Sequence, residues 1–149
     1  QEVVQLLRTY YEKENSGPIF HENDEEIYKE HGLEDQLKNP FVLMGMIVKG
    51  LENFDMMDML YTKRYPEHYK NVRDMTKYKY YSKLYRYLER IDTKNFNEKY
   101  TVGDSFGREN CFVALENMLR YFEKIEQYEK CAVIKRYQTL LLESLVDGK

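Results

Sequence analysis

The chain has 149 residues, a length typical of one domain with one core. Its formal net charge is −3, which argues against a protein that binds nucleic acid through overall positive charge. The longest apolar run, residues 41–48, is far shorter than the roughly 20 residues that a membrane-spanning helix needs, so we expect no transmembrane helix.

The N-terminal part is predicted to contain one helix and one acidic segment. Apolar residues recur at helical spacing over residues 2–14, and the turn-favouring residues 15–18 end this helix. Residues 21–30 are acidic and have few apolar side chains, so we expect no more than a short surface helix there. Because Gln1 already opens the helical pattern, we expect no signal peptide and infer that a start methionine precedes it.

Asn39 and Pro40 are predicted to cap and open an apolar, Met-rich helix. Gly50 or Asn53 is expected to interrupt it, and Asp55 to cap a further short helix. This stretch is therefore interpreted as two helical pieces.

Helix 67–90 is predicted to be the longest element, with Pro66 as its opening residue. Its apolar face is expected to consist of Tyr78, Tyr81, Tyr85 and Leu88. Residues 93–107 are rich in Asn, Asp and Gly and are predicted to form the main loop, which is a candidate subdomain boundary.

Residues 108–146 are predicted to form an antiparallel helical hairpin that turns near Glu126. Cys111 and Cys131 would then lie on opposite arms with an axial offset of roughly 15 Å, beyond disulfide reach. We expect both to be reduced, half-buried thiols. The predicted fold is a single all-α domain, 1–149, in which five to six helices form an irregular bundle.

Within the hairpin, residues 126–138 carry a short pattern of aromatic-acidic, small-small and aliphatic-basic pairs. The pairs are Tyr128-Glu129, Cys131-Ala132 and Ile134-Lys135. This pattern resembles the second helix of the UVR motif found in the excision-repair proteins UvrB and UvrC. The resemblance implies helical pairing with another protein rather than catalysis. Any close-packed helical hairpin, including one like a tetratricopeptide unit, would show the same pattern.

The main functional hypothesis is a non-enzymatic module that binds another protein or a second copy of itself. Residues 41–48 leave almost no polar face on their helix, and such a helix must be covered on every side. The surface is predicted to include residues of this helix and of the C-terminal hairpin: Phe41, Met44, Ile47, Tyr128 and Ile134.

The alternative hypothesis is a nucleic-acid-binding protein that uses helix 67–90. Residues 1–60 carry 5 basic and 13 acidic side chains, whereas residues 61–99 carry 11 basic and 5 acidic ones. A basic stripe with stacking faces beside it is predicted from Lys79, Lys83, Arg86, Arg90, Tyr80 and Tyr87. A basic face that is simply solvated, or that docks on the acidic N-terminal third, explains the same pattern.

Catalytic and metal-binding patterns are lacking. The sequence has no Cys-x-x-Cys pair, His-Glu-x-x-His motif, Walker loop or nucleophile elbow. We therefore expect no enzyme activity, no metal and no cofactor. The chain contains little Ala and much Tyr and Lys, and this composition fits an AT-rich genome, such as that of a virus or phage. The expected location is the cytoplasm, or the virion if the protein is viral.

Overall fold

The computed structural model describes residues 39–96 and 107–147. Within these ranges the chain forms four α-helices and one 3-10 helix and contains no strand: α1 Pro40–Arg64, α2 Pro66–Glu89, the 3-10 helix Thr93–Phe96, α3 Arg108–Lys124 and α4 Tyr128–Asp147. The all-α class predicted from the sequence is confirmed. The first predicted helix, the acidic segment and most of the predicted 93–107 loop lie outside the described residues, so the count of five to six helices stays a prediction.

Helix α1 begins where the sequence predicts and then continues without a break. The Asn39 side chain accepts hydrogen bonds from the backbone amides of Phe41, at 2.9 Å, and Val42, at 3.4 Å. The predicted interruption near Gly50 is wrong. Gly50 is buried inside α1, where packing offsets the roughly 1 kcal/mol that glycine costs in a helix.

A single residue, Tyr65, separates α1 from α2. Its backbone amide donates to the carbonyl of Tyr61 at 2.9 Å, and Pro66 occupies the first turn of α2. Proline suits that position because its missing N–H would have no helical partner there. The boundaries predicted for α2 are confirmed to within about one residue, but the prediction that it is the longest element is wrong, because the unbroken α1 has 25 residues and α2 has 24. Helices α1 and α2 pack extensively on each other.

Residues Ile125 to Gln127 connect α3 to α4. Glu126 adopts the left-handed conformation with φ 61°, which lets the amide of Gln127 donate to the carbonyl of Phe122 at 2.9 Å. Side chains link the two helices at two levels, Cys131 to Leu119 and Gln138 to Glu116. Because the numbering rises on one helix as it falls on the other, the two helices run in opposite directions.

The main core lies between the two helix pairs. Its fully buried side chains come from every α-helix and include Phe54, Tyr87, Leu88, Leu115, Met118, Phe122 and Ile134. The hydroxyl of Tyr137 on α4 donates a hydrogen bond to the carbonyl of Ile91 at 2.6 Å, which connects α4 to the residues that follow α2. Cys111 and Cys131 are free thiols, as predicted, but both are buried rather than half-buried.

Residues 56–76, here called the arm, continue beyond this core. The core takes side chains from α1 up to Phe54 and from α2 from Tyr80 onward, and within the arm only Met57 packs against it. Tyr61 and Tyr69 are buried in the arm itself, with ring centroids 5.4 Å apart. The nine helical residues of α1 in the arm span about 13 Å.

Candidate functional site

The residues predicted to bind protein fall into two groups. Met44, Ile47 and Ile134 are each 0% exposed and belong to the core, so their prediction as surface residues is wrong. The physical reason is that the chain itself covers the all-round apolar part of α1. Phe41 and Tyr128 are exposed, at 37% and 64%, and remain available for contact.

The residues predicted to bind nucleic acid are also divided. Tyr80, Tyr87 and Lys83 are buried, which corrects their prediction as stacking faces and as a phosphate contact. Lys79, Arg86 and Arg90 are exposed on α2 and its C-terminal cap. The Arg90 guanidinium lies 5.7 Å from the centre of the Tyr87 ring, so part of that tyrosine's face is covered from within the chain.

A hydrogen-bonded group joins the two helices of the arm. Asp58 on α1 accepts from the hydroxyl of Tyr69 at 2.7 Å and from two guanidinium nitrogens of Arg73 at 2.8 Å each. The hydrogen bond from Arg73 holds the pKa of Asp58 below its usual value, and that from Tyr69 adds to the effect. Burial, reinforced by the bond to Asp58, raises the pKa of Tyr69. This group fixes the arm's two helices against each other.

This group was not predicted from the sequence, because α1 was expected to break before Asp58. Two continuous helices joined at Tyr65 bring together residues that are about equally far from the turn. Asp58 lies seven residues before Tyr65 and Arg73 lies eight residues after it. The spacing across the turn is therefore the signal that would have found them.

The arm exposes large apolar side chains on the outer side of each helix. Met56 and Met59 are 67% and 56% exposed on α1, and Val72 and Met75 are 45% and 63% exposed on α2. Met56 and Met75 each lie two residues from a member of the Asp58–Arg73 pair, about 200° around their own helix. They therefore face away from the contact between the helices, and each helix of the arm carries two exposed apolar side chains.

A shallow cleft of about 270 Å³ lies between α3 and the residues of α1 and α2 that border the arm on its core side. Its lining combines three cations, two tyrosines, one carboxylate and one amide: Lys77, Arg120, Lys124, Tyr81, Tyr121, Asp55 and Asn117. The rings of Tyr81 and Tyr121 lie 4.4 Å apart between centroids, and the Lys77 ammonium is 5.6 Å from both. Burial raises the pKa of Asp55 even though Lys77 lies nearby and opposes the shift.

The residues of the UVR-like pattern have different surroundings on α4. Cys131 and Ile134 are buried, and the Cys131 thiol lies 3.9 Å from the carbonyl of Leu119 on α3. Ala132 and Lys135 are exposed. Only Cys131 of the two small residues therefore lies at the contact between the helices.

Within residues 39–96 and 107–147, no group of three His, Cys, Asp or Glu side chains is placed to hold a metal ion. In the same part of the chain, no helix combines the length and apolar character needed to cross a membrane. Comparison with known proteins gives no match for this chain among protein-family models, curated protein sequences or solved structures.

Proposed function

We propose that the chain is a non-enzymatic helical module that binds other protein chains, or a second copy of itself, through the arm. The observation that carries this proposal is the exposure of Met56, Met59, Val72 and Met75 on helices that extend beyond the main core. Large apolar side chains grouped on an exposed element are typical of contact surfaces. The surface differs from the one expected from sequence, since Met44 and Ile47 are core.

The spacing of these side chains suits recognition by other helices. Met56 and Met59, like Val72 and Met75, are three residues apart and occupy one side of their helix, the arrangement by which a helix enters an apolar groove. Methionine is flexible and polarizable, so it adapts to partners of differing shape. The Asp58 group keeps the two helices in register, which lowers the entropy lost on binding.

The test compares a surface variant with a matched control. The double variant Met59→Glu/Met75→Glu places charge on both helices of the arm, and Val113→Glu changes a similarly exposed apolar residue on α3. We expect wild type and Val113→Glu to retain the same proteins in affinity capture from the encoding organism, or to self-associate by light scattering. The double variant should neither capture these proteins nor self-associate, while its circular dichroism is unchanged. Equal retention by all three chains would contradict the proposal.

Nucleic-acid binding is the second candidate, and one observation favours it. Lys79, Arg86 and Arg90 are all exposed and, at separations of seven and eleven residues, lie within about 20° of one line along the helix. Such a line follows a phosphate backbone, although the buried tyrosines cannot stack on bases. Fluorescence anisotropy with single-stranded DNA and RNA should show weak binding that falls steeply with salt and is lost in the triple Glu variant.

A further inference from the structure

We propose that the cleft formed by Asp55 of α1, Lys77 and Tyr81 of α2, and α3 is a binding site for a small phosphate monoester. This site is separate from the exposed apolar side chains of the arm, and the proposal does not depend on the protein-binding function. It follows from the number of hydrogen-bond donors that line the cleft, from their charge and from the size of the space.

Four of the donors in the cleft have no acceptor among the residues that the structure describes. Across those residues, Lys77 and Lys124 form no ion pair, and the hydroxyls of Tyr81 and Tyr121 make no hydrogen bond. Tyr81 as a whole is 5% exposed, but its hydroxyl is not among the buried groups that lack a partner and is therefore open to solvent. A ligand that supplies acceptor oxygens would pair with these four donors in place of water.

The charge of the cleft suits an anion. Lys77 approaches from α2, Arg120 and Lys124 lie one helical turn apart on α3, and Asp55 is the single carboxylate in the lining. The lining therefore carries three positive charges and one negative charge, and Arg120 also donates at 3.2 Å to the carboxylate of Glu116, which leaves a net charge of +1. A phosphate monoester, which carries a charge of about −1.5 to −2 at neutral pH, is attracted to such a site.

The number of donors favours phosphate over a carboxylate. The two ammonium groups, the guanidinium, the Asn117 amide and the two tyrosine hydroxyls make six donor groups around one space. A carboxylate has two oxygens in a plane, whereas a phosphate monoester offers three terminal oxygens in a tetrahedral arrangement. The phosphate is therefore able to accept from donors on α2 and α3 together.

The size of the cleft and the position of Asp55 limit the organic part of the ligand. A volume of about 270 Å³ is at or below the lower end of the range for small-molecule sites, so few atoms fit beyond the phosphate. Asp55 has no hydrogen-bond partner among the described residues, and its carboxylate is suited to accept from a ligand hydroxyl. A short hydroxylated chain carrying a phosphate fits both conditions.

The proposal is tested by nuclear magnetic resonance titration of the full chain with glycerol 3-phosphate, inorganic phosphate and succinate at constant ionic strength. We expect saturable shifts of the Asn117 side-chain amide and the Arg120 guanidinium signal with glycerol 3-phosphate, and weaker binding of the other two anions. Lys124→Gln should raise the Kd about tenfold, and Lys135→Gln, an exposed control on α4, should leave it unchanged. Asp55→Asn should weaken glycerol 3-phosphate relative to inorganic phosphate.

Three results would overturn the proposal. The first is the absence of saturable shifts, and the second is an equal effect of Lys124→Gln and Lys135→Gln, which would indicate diffuse charge attraction. The third is binding of succinate or inorganic phosphate as tight as that of glycerol 3-phosphate, which would exclude a phosphate monoester as the preferred ligand. Circular dichroism of each variant distinguishes lost binding from lost folding. Because Lys124 and Lys135 are both exposed, we expect both variants to fold.

Discussion

Replacing Asp58 with Ala removes the acceptor that Tyr69 and Arg73 share across the arm. Tyr69 is 2% exposed, and its hydroxyl would be left without a partner where water has little access. An unsatisfied buried donor costs about 1–3 kcal/mol. Arg73 is 46% exposed and regains water, so the lost ion pair adds at most about 1 kcal/mol. We therefore expect the arm to be destabilised by about 1–4 kcal/mol in Asp58→Ala.

Amide hydrogen exchange followed by mass spectrometry is the suitable assay, because the arm lies outside the main core and can open without global unfolding. Since 1.4 kcal/mol corresponds to a factor of ten, a loss of 2 kcal/mol should speed exchange in residues 56–76 by about 30-fold. Exchange in α3 should change much less. A uniform increase over all helices would show that the arm and the core unfold together.

A double-mutant cycle tests the reasoning itself. Tyr69→Phe removes the hydroxyl along with its need for an acceptor, so Asp58→Ala should cost about 1–2 kcal/mol less when it is combined with Tyr69→Phe. Additive effects of the two changes would refute the argument from the unsatisfied hydroxyl.

The stability of the arm also depends on pH. Because the folded-state pKa of Asp58 is lowered, the contribution of Asp58 to stability is present above its ordinary pKa of 3.8. It should be lost as pH falls through the lower folded pKa, and Asp58→Asn should remove this dependence.

Met44→Glu should abolish the helical circular dichroism signal, because it places a charge at a fully buried position, whereas Met44→Leu should cost less than about 1.5 kcal/mol in urea denaturation. Retained helicity in Met44→Glu would contradict the assignment to the core. Cys111 and Cys131 should react with a thiol reagent only after unfolding, since both are buried and burial raises the pKa of Cys111 to about 11. Rapid reaction of the native chain would contradict this. Glu126→Gly should raise the unfolding free energy by about 1 kcal/mol by relieving the left-handed conformation, and Glu126→Ala should not.

The helix boundaries that were predicted correctly depend on local chemistry. Asn39 and Pro66 act within one turn of their own positions, so short stretches of sequence carry the full signal. Gly50 failed as a predictor because its effect on a helix is weak compared with packing against α2. Local preference therefore predicted where helices begin but not whether they continue.

Burial on α2 was harder to predict because its sequence lacks a clear apolar side. Tyr and Lys alternate around the helix, and tyrosine suits both core and surface. The sequence assigned Tyr80 and Tyr87 to the outer face and Tyr78 to the core face, whereas Tyr80 and Tyr87 are buried and Tyr78 is exposed. The cleft and the Asp58 group were missed for a related reason: both need side chains from more than one helix, and their partners are known only once the helices are paired.

The way the helices pair has a consequence for the order of folding. The two most extensive contacts join neighbours along the chain, α1 with α2 through the single residue Tyr65, and α3 with α4 through Ile125 to Gln127. Contacts between residues close in sequence form quickly because little loop entropy is lost in closing them. We expect α1 and α2 to pair first during synthesis and α3 and α4 to pair later. The inner face of the first pair stays uncovered until the second pair has been made. During that interval Tyr81 and Tyr85 lack their ring contacts with Tyr121 and Phe122 of α3, which makes the period of synthesis the stage at which the chain is most exposed to aggregation.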